Sequence, residues 1–246
     1  MIFEVCVDSV EGVLAAQQAG AQRVELCDNL VEGGTTPSLG VVRVARRRAA
    51  LAVYVIVRPR GGDFVYTEAE FEAMQQDILA LKQEGVDGVV LGLLRSDGSV
   101  DVERTQALVE LARPLRVTFH RAFDLSREAG EALEAVCSLG IERVLTSGQA
   151  ATALEGAACI AGLVRQAGER VIILAGGGIT AGNAAAVVAA TGVRELHFAA
   201  RKTVGSTMTF RRPGVSMGKV YQPDEYTRRV TDVEGIAALI SAVRKA

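Results

Sequence analysis

With 246 residues, 49% of them apolar, the chain can bury one sizeable core without dividing into two domains. No apolar run approaches the roughly 18 residues a membrane helix needs, because Gly, Arg or Glu interrupts the longest stretches. A net charge of −2 without a concentrated basic excess argues against a nucleic-acid binder. The opening segment MIFEVCVDSVEG carries acids where a secretory signal would carry bases, so a cytoplasmic setting is expected. The four cysteines form no CxxC pair, and a cytosolic chain keeps its thiols reduced, so no disulfide framework is expected.

Short apolar runs alternate with stretches of helical period, the pattern of βαβ units and a parallel sheet. Strands are expected at 2–7, 23–26, 52–57, 88–92, 116–120, 143–147, 171–175 and 195–199. Helices are expected to begin near Val10, Val41, Glu68, Val102, Glu128, Ala151, Ala181 and Val233. Ser9, Thr67, Asp101, Ser126, Thr180 and Asp232 are suitable N-caps for six of them. Eight such units, each of about 31 residues, predict a single TIM-type (β/α)₈ barrel over 1–246. A doubly wound open sheet would show a glycine fingerprint after its first strand, where this chain reads VDSVEG. Two connections, 27–40 and 200–231, are unusually long, and both leave the carboxyl ends of strands, where barrel enzymes build their sites.

Strand parity then separates wall from lumen, since successive side chains point to opposite sides. Val5 and Val7 face the helices, leaving Glu4, Cys6 and Asp8 inside. Val24 and Leu26 do the same for Arg23, Glu25 and Cys27. Val117 and Phe119 leave Thr118 and His120 inside, and Leu196 and Phe198 leave Glu195 and His197. Most barrels fill the lumen with Val, Ile and Leu. An interior of carboxylates, thiols and both histidines must pair internally, with arginines or with a ligand.

Several of these residues are candidates for chemistry. His120, at a strand end, can titrate near neutrality and serve as general acid/base, with Asp124 or Glu25 to orient it. Glu4 and Glu25, deeper in the lumen, read equally as structural partners of Arg23 or Arg58. Arg58 and Arg60 flank a proline in RPRGGDF and suit an anionic ligand; they are also the expected counter-charges of the lumen carboxylates. The turn Gly176, Gly177 and Gly178 after the seventh strand presents backbone N–H groups where barrels often bind phosphate, although close strand–helix packing selects the same residues. Arg201 and Lys202, past the eighth strand, are placed to assist, and His197 faces the same lumen. Cys6 and Cys27 occupy equivalent places on adjacent strands. Two thiolates side by side favour Cu(I), while zinc would want four ligands; small lumen fillers remain the plain alternative.

The segments EVCVDSVE (4–11), RVELCDNLVEGGTTPSLG (23–40), RPRGGDF (58–64), VTFHRAFD (117–124), RVLTSG (143–148), GGGIT (176–180) and VTDV (230–233) resemble the CutC family. The resemblance spans essentially the whole chain, and animal members are especially similar. It implies a TIM-type barrel, a cytoplasmic setting, self-association as a homo-oligomer and a role in copper homeostasis, with Cys6 and Cys27 as the Cu(I) ligands. The other reading is an enzyme of the lyase or isomerase class acting on a small anionic or phosphorylated metabolite at the barrel mouth. No nucleotide or organic cofactor motif is present. A scaffold protein is the third reading, and it would not call for internal charge.

Overall fold

Eight parallel strands close on themselves in sequence order. They are β1 (Ile2–Val7), β2 (Arg23–Leu26), β3 (Ala52–Ile56), β4 (Gly88–Leu91), β5 (Arg116–Phe119), β6 (Arg143–Thr146), β7 (Ile172–Gly176) and β8 (Glu195–Phe198). Outside them lie α1 (Val10–Gln18), α2 (Leu39–Arg48), α3 (Glu68–Gln83), α4 (Val102–Ala112), α5 (Ala129–Ser138), α6 (Ala157–Ala167), α7 (Ala184–Thr191) and α8 (Val233–Arg244). The expected (β/α)₈ barrel is the observed one. The structure, a computed structural model, describes residues 1–215, 217 and 225–246. Among these no helix is long and apolar enough to cross a membrane.

Local chemistry explains most helix starts. Ser9, Thr67 and Asp101 each accept a backbone N–H of the first turn, and Thr67 with Glu70 forms a reciprocal capping box. The wall side of the strands is mostly Val, Ile, Leu or Phe, packed against these helices in one continuous cluster. Register locks the ring: Glu4 of β1 lies opposite Arg23 of β2 on one side and His197 of β8 on the other.

Several features depart from the sequence expectation: Glu128, not Ser126, caps α5, Thr180 lies three residues ahead of Asn183 at the start of α7, and the Asp232 side chain makes no cap hydrogen bond. α7 begins at Ala184 instead of 181, because Asn183 Oδ1 takes the Thr180 N–H in a turn ahead of it. The 200–231 connection contains an antiparallel hairpin, β9 (Arg201–Gly205) and β10 (Thr227–Thr231). α6 begins at Ala157 and not near 151, because the chain first folds back on the end of β6. There Gly148 and Gly156 meet backbone to backbone: a Cβ on Gly156 would lie 2.0 Å from the Ser147 carbonyl oxygen. Gly156→Ala should therefore destabilise the protein by about 2–3 kcal/mol in chemical denaturation, as overpacking does; a loss below about 0.5 kcal/mol would show that this contact relaxes freely.

Candidate functional site

The lower lumen is filled by an ion network. Arg23 bonds both Glu4 and Glu195, and Arg143 Nε donates to Glu195 at 2.9 Å. Both guanidinium groups lie over the Tyr54 ring, 5.1 Å from its centre for Arg23 and 5.5 Å for Arg143, and its hydroxyl accepts from Arg143 at 3.3 Å. Gly88 makes room for that ring, since a Cβ there would meet Tyr54 at 2.7 Å. The counter-charges of the lumen carboxylates are thus Arg23 and Arg143, not the expected Arg58 and Arg60. Arg143 is legible in RVLTS by the same parity that placed Glu195, because Val144 faces the wall.

One layer above sit the thiols. Cys6 Sγ and Cys27 Sγ are 3.8 Å apart, and their sulfurs and a Glu25 carboxylate oxygen lie within 4.8 Å of one another. Cys27 is fully buried, roofed by Gly34 of the loop after β2, whose φ of +98° excludes a side chain that would press on the sulfur. Cys6 lines the open cavity. His197 joins this layer to the network below: its Nδ1 lies 2.7 Å from Glu4, and its Nε2 lies 3.6 Å from Glu25.

Electrostatics divides the protons unequally in this layer. The hydrogen bond from Cys27, helped by His197, outweighs burial and brings the Cys6 thiol down to about 5. Burial and the neighbouring Cys6 push Cys27 well above its ordinary range. Burial, with Cys6 adjacent, pushes Glu25 up to about 8. Burial would raise Glu4, but His197 and Arg23 outweigh it and hold Glu4 down to about 2. For His197 burial would lower the value; contacts with Cys6, Glu4 and Glu25 overcome it and raise His197 well above its usual range. At neutral pH Glu4 and Cys6 are therefore anionic and His197 cationic, while Glu25 and Cys27 keep their protons.

A cavity of about 480 Å³ opens above, lined by Cys6, Glu25, Arg58, His120, Arg121 and the turn after β7. Among the expected site residues, His120 stands in this cavity wall, but burial and the Arg58 charge bring it down to about 3. Its Nδ1 accepts the Ala122 N–H, so the neutral ring carries its hydrogen on Nε2, which has no partner. Burial and the nearby Arg58 cation thus oppose the expected titration near neutrality. Neither expected orienter touches it. Asp124 is held by Thr146, Ser147, Gln149 and Arg121 at the end of β6, and Glu25 faces the thiols and His197.

Arg58 is buried, and its guanidinium donates to the carbonyls of Glu32, Gly34 and Gly62, so it ties two loops together beneath the mouth. Phe64 packs against both Arg58 and His120, its ring centre 5.0 Å from the guanidinium and 4.9 Å from the imidazole. Arg60 turns away to Glu70 and Asp63 and takes no part in the cavity. Gly176 belongs to β7, where a Cβ would strike Leu145 and His197; it clears space for the lumen layer and is not part of the turn. Gly177 and Gly178 do form the turn, with φ of +101° and +67°. Arg201 lines the cavity while paired to Asp8, and Lys202 pairs with Asp232 outside it. Arg121, which was not among the expected site residues, crosses to the β6 end and lies over Gly177. Its reach was hidden in the sequence because it depends on where the short 3₁₀ turn Arg121–Leu125 directs the side chain.

These features define a (β/α)₈-barrel protein with a polar lumen and a thiol pair at its mouth. The chain belongs to the CutC family, which it matches over residues 1–202. It is 53% identical over 245 residues to a CutC family protein of Chromobacterium violaceum, covering 100% of this chain and 99% of that one. It is 47% identical over 238 residues to the human copper homeostasis protein cutC homolog, covering 97% of this chain and 87% of that one. The crystal structure of CutC from Streptococcus agalactiae superposes with a TM-score of 0.77 at 35% identity, covering 80% of this chain and 98% of that one.

Proposed function

We propose that the protein binds Cu(I) between Cys6 and Cys27 and serves copper homeostasis in the cytoplasm, as a homo-oligomer. The observation that carries this reading is the 3.8 Å separation of the two sulfurs. Two metal–thiolate bonds of about 2.3 Å span at most about 4.6 Å, so one ion reaches both sulfurs without backbone movement. Two soft sulfurs select Cu(I) over hard cations, and the nearby Glu25 oxygen is a poor donor for it. Cys6 is already a thiolate at neutral pH and is the sulfur that lines the cavity, so it makes first contact with an arriving ion. The copper-homeostasis name of the human relative agrees with the reading. A reducing compartment keeps the pair available as thiols.

Competition against a Cu(I) chelator tests it. The Cys6→Ser, Cys27→Ser double variant should lose at least about a hundredfold in affinity, equivalent to about 2.7 kcal/mol. Unchanged affinity would reject these two ligands.

A further inference from the structure

The cavity extends from the thiols across the mouth to the end of β7, where sulfur has no part. We propose that this far side is a second binding site, for the phosphate group of a small phosphomonoester, formed by the backbone of Gly177, Gly178 and Ile179 with the side chains of Arg121 and Arg229.

The backbone supplies the cradle. Gly177 and Gly178, both with positive φ, form a tight turn after β7, and backbone N–H groups of such turns can hold an anion. The N–H groups of Gly177, Gly178 and Ile179 have no acceptor among the described residues, whereas the next one, of Thr180, is taken by Asn183. A Cβ on Gly177 would stand 3.5 Å from Arg121 Cζ and 3.7 Å from its Nη1, so the bare glycine lets the guanidinium approach the turn.

Arg121 is fixed for this role by two of its nitrogens. Nε donates to Asp124 at 2.7 Å and Nη2 to Ser147 at 2.7 Å, which leaves Nη1 free beside Gly177. Asp124 offsets part of that charge, but its oxygens are occupied by Thr146, Ser147 and Gln149. The side chain of Arg229, from β10, reaches the same cavity and makes no hydrogen bond or ion pair among the described residues.

A second and independent observation also points to an anion. Arg58, 5% exposed, lines the cavity with no carboxylate partner among the described residues, and its Nε is unpartnered. His120 lines it too, with Nε2 unpartnered. A buried cation bound only to carbonyl groups keeps its charge uncompensated, and an anionic ligand would relieve that. Phosphate fits better than carboxylate: three unoccupied N–H groups and two guanidinium groups match three oxygens and nearly two negative charges. The rest of the ligand would lie along Leu145, Ile179 and Phe198, in a cavity whose volume suits a small metabolite.

The test uses the purified full chain, freed of metal by chelation, so that its outcome is independent of the copper reading. Inorganic phosphate, glycerol phosphate and acetate are titrated by calorimetry and by thermal shift. The two phosphates should bind saturably and raise the melting temperature, and acetate should not. Arg121→Met should weaken phosphate binding by about tenfold or more. Arg229→Ala, on the exposed hairpin, should weaken it several-fold and serves if the Arg121 variant folds poorly. No saturable phosphate binding below about 20 mM, equal affinity in both arginine variants, or acetate binding as tight as phosphate would overturn the proposal.

Discussion

Arg23→Met should lower stability by about 3–5 kcal/mol at neutral pH, the range for removing one partner of a buried ion pair. Arg23 bonds Glu4 and Glu195 at once, so its loss leaves a net buried negative charge with no water to receive it. The deficit should shrink with acidification. Glu4 sits at about 2 in the folded protein and near 4.5 when unfolded, so its contribution is present above about 4.5 and lost as pH falls toward 2. Without Arg23 that carboxyl rises, and the variant takes up its proton earlier than the parent does. Urea denaturation at about pH 7 and about pH 4 measures the difference. A deficit that stays constant or grows on acidification would mean that lost packing, not unpaired charge, is responsible.

Cu(I) affinity should rise about tenfold per pH unit around neutrality. Cys6, brought down to about 5, is already deprotonated there, whereas Cys27, raised by burial and by Cys6, still holds its proton. Binding both sulfurs as thiolates therefore releases one proton per ion. Below about 5 the Cys6 proton must leave as well, and the dependence should steepen toward a hundredfold per unit. Chelator competition across about pH 6 to about pH 8, with proton release followed in weak buffer, gives both quantities. Affinity independent of pH over that span, or two protons released at neutrality, would show that the thiols do not share their charge in this way.

The barrel and the identity of its inward-facing side chains were legible because strand parity is a rule of period two, and Val5, Val24, Val117 and Leu196 mark the wall without ambiguity. Partners were less legible. Glu4 was expected against Arg23 or Arg58 and finds Arg23 and His197, because ring closure brings β8 beside β1 although the two lie at opposite ends of the chain. Arg58 was read as a ligand-binding cation from its position after β3. Its actual partners are backbone carbonyls, which every residue has and no sequence distinguishes. The β9–β10 hairpin escaped notice because its residues are largely exposed on both faces and carry no apolar alternation. Arg121 and Arg229 gave no signal for a related reason: their place at the mouth is set by how loops fold, not by any period.

The layer of Glu4, Arg23, Tyr54, Arg143 and Glu195 has a consequence for traffic. All five are at most 5% exposed and together stopper the cylinder beneath the sulfurs. The barrel is a dead end, and whatever enters by the rim must leave by it. An ion bound at the sulfurs, as proposed, would therefore arrive and depart by the same rim.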